Sequence, residues 1–350
     1  MTVVTAIIVL SLLVFFHEFG HFLAARALGV TVEVFSIGFG KKLLSITVGK
    51  TEYRVSAILL GGYVRMKGQD DANPLTKSGD PDAYDAKKPW QRILISLAGP
   101  LANIALAFSL FTAVAMVGMN AYAPTIGGVI EGSPAQKAGL RTGDTIIAIG
   151  DTKVRHWNHI SALIGESEGE IRLTVERNAS VISLVMLPEI ADAKNIFGEA
   201  EKRKMIGVSQ SGEVITLRYG VLESIAEGWR RTVEASTLIF QSIVKLITGV
   251  LGLENVASII TIVDLTAKAS EMGIAALLTL TAIISVNLGI LNLLPIPALD
   301  GGHIMFNAYE QTVGRAPSEG ALYKMTIAGW GVLGALTLLG VYNDIVRLIG

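Results

Sequence analysis

The chain has 350 residues, 51% of them hydrophobic and 17% charged, with a formal net charge of −1 and no cysteine. Its mean hydropathy of +0.53 separates it from ordinary soluble domains and places it with membrane proteins, and the near-neutral balance points to no nucleic-acid partner. Without cysteine there are no disulfides and no thiolate metal ligands, so histidine and carboxylate are left as plausible ligands. The redox compartment stays open.

Residues 1–16 are uncharged and apolar, and they run directly into His17-Glu-Phe-Gly-His21. Residues 4–28 are long enough to span about 30 Å of hydrocarbon as a first transmembrane helix. The stretch lacks a basic leader and a convincing small-residue cleavage site, so it is expected to stay uncleaved. Positions four apart lie one turn above each other on a helix, so His17 and His21 can hold one metal ion while Glu18 reaches a water at that metal. A general base beside a Lewis acid is what amide hydrolysis requires. Such a motif fixes only three positions and also arises by accident on surface helices. Within lipid, however, two histidines and a carboxylate cost several kcal/mol unless paired, metal-bound or facing a wet cavity.

Eleven basic residues follow before the second span: Arg26, Lys41, Lys42, Lys50, Arg54, Arg65, Lys67, Lys77, Lys87, Lys88 and Arg92. This bias predicts that loop 27–92 is cytoplasmic. His17 precedes Arg26 by nine residues, about 14 Å of helix, which puts the metal inside the membrane near its cytoplasmic face. Further spans are read at residues 93–119, 273–294 and 325–342. Residues 120–272 and both termini then face the other side, and the connection 300–324 has too little charge bias to test this.

Residues 124–188 read as a small β-rich module, with short apolar runs divided by Gly, Pro and Asp turns. Residues 190–234, which include Glu199-Ala-Glu-Lys-Arg-Lys204, read as a solvated linker with a short helix. Residues 235–253 carry Gln241, Lys245, Thr248 and two glycines among apolar residues at helical spacing. They are expected to form an amphipathic helix at the membrane surface, with a fifth span as the alternative.

Two histidines need a third protein ligand to leave one open coordination position. Asp300, in Asn292-Leu-Leu-Pro-Ile-Pro-Ala-Leu-Asp-Gly-Gly-His303, is the candidate, because Pro295 and Pro297 stop the third span and unwound backbone at membrane depth is tolerated where it lines a cavity. A cap or turn role is the other reading of Asp300. His303 is a rival ligand; the carboxylate complements two neutral imidazoles and Zn²⁺ better. Asn287 and Asn292 could orient the site, bind substrate or serve helix packing.

The HEFGH motif, Gly99-Pro-Leu-Ala-Asn103, Leu299-Asp-Gly301, Phe35-Ser-Ile-Gly-Phe-Gly40 and Leu60-Gly-Gly-Tyr-Val64 together resemble the site-2 protease family of intramembrane zinc metalloproteases. Within it, the similarity is nearest to the bacterial regulator-of-sigma-E proteases. The resemblance covers all four spans and the first loop. It implies one zinc ion bound by His17, His21 and Asp300, with Glu18 as catalytic base. It implies substrate contacts at Asn292, with Asn287, Gly61, Gly62 and Tyr63 beside it. It also implies a membrane-reentrant β-hairpin, for which residues 32–66 are suited, with a turn near Gly49. Gly132-Ser-Pro-Ala-Gln-Lys-Ala-Gly-Leu-Arg-Thr-Gly-Asp144 resembles a segment of bacterial PDZ domains, which take extended peptides as an added strand or act as a gate. Those relatives carry two such modules in tandem; one is read here.

The expected fold is a polytopic α-helical membrane protein of about four spans, with a reentrant β-hairpin and an inserted extracytoplasmic PDZ-like α+β domain. Its parts are an N-terminal membrane core (1–119), the PDZ-like domain (120–190), a linker with a surface helix (191–272) and a C-terminal membrane core (273–350). The expected activity is zinc endoproteolysis of single-pass proteins, either anti-sigma factors already shortened by another protease or remnant signal peptides, in a bacterial cytoplasmic membrane. A catalytically inactive membrane PDZ binding protein is the main alternative, opposed by Glu18, since a structural zinc site needs no adjacent base. A metal transporter would string ionisable groups along several spans, and here they sit at one depth.

Overall fold

The uncharged start of the chain forms α1 (Thr2–Ala27), 26 residues of nearly unbroken apolar helix that carry the histidine motif in their last third. The computed structural model describes residues 2–69 and 78–349; Lys77 of the basic loop lies outside the described residues. Two long strands follow, β1 (Val32–Val48) and β2 (Thr51–Met66). They are more than a simple hairpin. Residues Val34 to Ile37 pair on both sides, with Arg65 to Gly62 along one edge and with Glu52 to Val55 along the other, while Lys42 to Val48 pairs back onto Ser56 to Thr51. Gly38 and Gly40, at φ 89° and 82°, let β1 bend between these two pairings, since only glycine takes that backbone freely.

The next helix, α2 (Pro89–Val117), is 29 residues long and keeps Pro100 in its interior. Helices α1 and α2 touch closely: a Cβ on Gly20 would stand 2.2 Å from the carbonyl oxygen of Ala98. Small residues at such a crossing are how helices associate where lipid removes the hydrophobic drive.

Residues Ala115–Gly220 form a compact unit of their own. In chain order it contains β3 (Met119–Tyr122), β4 (Ile126–Val129), α3 (Pro134–Lys137), β5 (Thr145–Ile149), β6 (Thr152–Lys153), α4 (Trp157–Glu166), β7 (Ile171–Arg177), β8 (Ser180–Met186), β9 (Glu189–Lys194), β10 (Ala200–Met205), β11 (Val208–Gln210) and β12 (Val214–Leu217). A four-stranded sheet in the order β6-β5-β7-β8 packs Ile146, Leu173 and Val175 against Ile160 and Ile164 of α4. Ser133 caps α3 through its side chain, as an N-cap serine does. Asp144, 1% exposed, is held by Arg177 at 2.6 Å; this guanidinium, against the opposing effect of burial, keeps its carboxyl below the usual range.

The expected linker is corrected here. Residues 190–220 form strands, with β9 and β10 making a hairpin, β11 pairing antiparallel with β4 and β12 with β3. The module therefore closes at Gly220 and not near residue 190.

The chain then forms α5 (Val221–Ile247), α6 (Ile259–Glu271), α7 (Ile274–Asn292), α8 (Asp300–Val313) and α9 (Glu319–Ile349). The helix expected over 235–253 thus begins 14 residues earlier and ends at Ile247. Its charged first half carries Glu227, bridged to Arg230 at 2.6 Å and to Arg231 at 2.8 Å. Its Ala235 and Ile239 pack on the cluster of Ala107, Phe111, Ala282 and Val286 that joins α2 to α7. The buried Asp344 of α9 accepts hydrogen bonds from the backbone of Ser258 and Thr261, capping α6. Among the described residues, α1, α2, α7 and α9 are long and apolar enough to cross a membrane, and α5 is not in that set.

Candidate metal centre

Helix α1 places His17 and His21 on one face, and both are buried, at 8% and 7% exposure. Their rings stand edge to face with centroids 4.8 Å apart. Asp300 arrives from the opposite direction, as the first residue of α8 after the Pro295 and Pro297 turn. The glycines behind it make that approach possible: a Cβ on Gly301 would lie 2.1 Å from the Leu294 oxygen, and one on Gly302 2.5 Å from the Ile296 oxygen. The first turn of α8 therefore rests directly on the unwound backbone that follows α7. Helix α9 backs the same turn, with Gly329 close against Pro297 and Ala298.

The three side chains converge. The two Nε2 atoms lie 3.2 Å apart, His17 Nε2 is 3.1 Å from Asp300 Oδ2, and His21 Nε2 is 3.3 Å from Oδ1. Ligands about 2.0–2.1 Å from a tetrahedral zinc ion stand about 3.3 Å from one another. Two further observations fit a cation at that point. The Nδ1 of His21 donates to the Ile95 carbonyl at 2.8 Å, which leaves a lone pair on Nε2 facing the others. Asp300 Oδ2 is buried without a hydrogen-bond partner despite its nearness to His17, so the two atoms point to a shared third position and not at each other. An orphaned buried carboxylate oxygen is costly unless something else satisfies it. Among the described residues, His17, His21 and Asp300 form the cluster able to hold a metal; His303 lines the same cavity without joining it.

Glu18 occupies the adjoining wall beside Gly62 and Val64, and a Cβ on Gly62 would lie 3.6 Å from its Cγ. Strand β2 thus fixes the orientation of this side chain. The cavity, about 580 Å³, brings together Glu18, the metal cluster, Gly62, Tyr63 and Asn292. Gly61 and Asn287, grouped with them from sequence, are not among its lining residues: Gly61 sits against the Phe39 ring, 2.0 Å from where its Cβ would be. Tyr63 is held by Arg54 at its hydroxyl, 3.0 Å. Sequence reasoning missed Arg92 and Glu310, paired at 2.7 Å across α2 and α8 on the cavity wall; no local pattern links residues 218 positions apart.

In sequence terms Gly99 is only part of a motif, and the structure gives it a steric role. A Cβ there would fall 2.3 Å from His21 Nε2, inside van der Waals contact with the proposed metal-binding atom. Gly99→Val is expected to push the imidazole aside and weaken zinc binding by more than about tenfold, as disturbed ligand orientation does. Zinc titration of the purified variant checks this, and wild-type affinity would show that the helices can separate at no cost.

Comparison with known proteins agrees with this geometry. The profile of peptidase family M50 matches residues 5–336. Proteins named "putative zinc metalloprotease" are similar along the whole chain: one from Campylobacter jejuni is 42% identical over 98% of this chain and 93% of its own length. Another from Agrobacterium fabrum is 34% identical over 99% and 96%, and one from Helicobacter pylori is 35% identical over 99% of each. The chain belongs to peptidase family M50, the site-2 protease family, and with its four apolar helices it is a membrane protein.

Proposed function

We propose that this member of peptidase family M50 is an intramembrane zinc metalloendopeptidase that cuts single-pass membrane proteins within or near their spans. The observation that carries the reading is the convergence of His17, His21 and Asp300 at 3.1–3.3 Å in one cavity with Glu18. His17, His21 and Asp300 hold the zinc. Bound there, zinc supplies Lewis-acid polarisation of the scissile carbonyl and acidifies the attacking water. Glu18 takes that water's proton on its carboxylate and passes it to the leaving amide nitrogen. Asn292 and Tyr63 line the substrate side, with Gly62 leaving room for an extended backbone, while Gly61 packs against the Phe39 ring.

A transmembrane helix hides its peptide bonds, so the substrate must unwind before attack. The β1 and β2 ribbon is read as the reentrant element that receives it: the Leu59 carbonyl accepts from Ser11, six residues N-terminal to His17 on α1. The unit of residues 115–220 is read as a PDZ-like, extracytoplasmic module that restricts access. In this reading loop 27–92 is cytoplasmic and the enzyme resides in a bacterial inner membrane, acting on anti-sigma factors or remnant signal peptides.

The test is cleavage of a model transmembrane peptide by the purified protein. Activity should vanish on zinc chelation and return when zinc is restored. Cleavage unaffected by metal removal would refute a metalloenzyme.

A further inference from the structure

We propose that Asn103 is a positioning residue for the metal, its side-chain carbonyl accepting from His17 Nδ1–H and so turning the Nε2 lone pair toward Asp300; this rests on the zinc reading above. Asn103 lies in the interior of α2, a predominantly apolar helix, and is 0% exposed. Its side-chain amide reaches 3.2 Å from His17 Nδ1. Helix α7 is met by its main chain, where Ser285 Oγ donates to the Asn103 carbonyl at 2.7 Å, and the amide is left for the histidine.

The orientation of that amide decides the state of the metal ligand. With the nitrogen toward His17, Nδ1 would be the acceptor and Nε2 of the neutral ring would carry the hydrogen, aimed into the cluster where a lone pair is needed. That orientation leaves Asn103 Oδ1 buried without a partner, and the opposite one leaves the amide nitrogen in that place instead, so the state that the His17 ring needs decides between them. A half-turn of the amide exchanges oxygen and nitrogen with no other movement. It gives Oδ1 the Nδ1–H and puts both histidines in the same state, since His21 Nδ1 already donates to the Ile95 carbonyl. Helix α2 thus orients both ligands, one by a main-chain and one by a side-chain carbonyl, as histidine ligands generally require of their second nitrogen.

The experiment measures zinc affinity by chelator competition, together with thermal unfolding of the zinc-free protein, for wild type, Asn103→Leu and Asn103→Asp. Leucine keeps the volume and removes the acceptor; it should weaken zinc binding about 10–100-fold while leaving the zinc-free melting temperature unchanged. Aspartate keeps an acceptor and should bind zinc near the wild-type level. Equal affinity for Leu and wild type overturns the proposal. So does an Asp variant as weak as Leu, because that pattern requires a donor toward His17. If the Leu variant does not fold, the Asp variant decides alone: zinc affinity near the wild-type level supports the proposal, and a loss of about tenfold or more overturns it. Failure of the wild type to bind zinc would instead refute the metal reading itself.

Discussion

Glu18→Gln is expected to lower cleavage of a transmembrane peptide by at least about 10²-fold while zinc content stays at the wild-type level. Glutamine has nearly the same shape and meets the same close packing against Gly62, so the cavity wall should not move. What it loses is the ability to take a proton from water and return it to the departing nitrogen. General-base removal spans about 10²–10⁴ in rate, or about 2.7–5.4 kcal/mol on the barrier. Initial rates and zinc per protein, determined on the same preparation, separate loss of chemistry from loss of metal. A variant with near wild-type rates would exclude Glu18 as the base, and one that has lost zinc would show that Glu18 shapes the ligand site.

The parts of this molecule that sequence made legible are those whose information is local. His17, Glu18 and His21 sit within five residues on one helix, and the helical repeat alone brings the histidines together. Long apolar runs likewise mark α1, α2 and α7 with only a few residues of error at their ends, whereas α9 starts six residues before and ends seven after the span read over 325–342. Asp300 was legible for a different reason: two prolines in an apolar context force an irregular turn that needs a purpose.

The misread region shows the opposite case. Strand β10 reads Ala-Glu-Lys-Arg-Lys-Met and is exposed or half-exposed along its whole length, so it has no alternation of apolar and polar residues to detect. β11 is three residues long and finds its partner β4 about 80 residues earlier. Pairing at that distance is decided by tertiary contacts, not by strand propensity. The start of α5 was hidden by Glu227, Arg230, Arg231 and Glu234, which resemble a linker in composition but pair among themselves as i,i+3 and i,i+4 neighbours on a helix. Asn103 had a usable signal, a polar residue in the middle of a span, but the histidine it serves lies 86 positions away.

Asp300→Ala is expected to lose zinc during purification and to fall to background activity, whereas His303→Ala should keep its metal. The argument is one of charge as well as coordination. Zn²⁺ with the carboxylates of Asp300 and Glu18 sums to zero, and in a low-dielectric interior a neutral group avoids most of the cost of burying an ion. Two neutral imidazoles with His303 in place of Asp300 would leave one positive charge uncompensated. Geometry points the same way, since Asp300 meets both histidines at 3.1 and 3.3 Å and His303 is outside the cluster. Loss of a direct ligand should weaken binding by more than the roughly 10–100-fold that follows from disturbing a ligand's supporting partner. Zinc analysis after gel filtration, beside chelator competition for variants that retain metal, measures both effects. Full zinc in Asp300→Ala with zinc stripped from His303→Ala would transfer the third ligand to His303, and with it the requirement that some other anion balance the site.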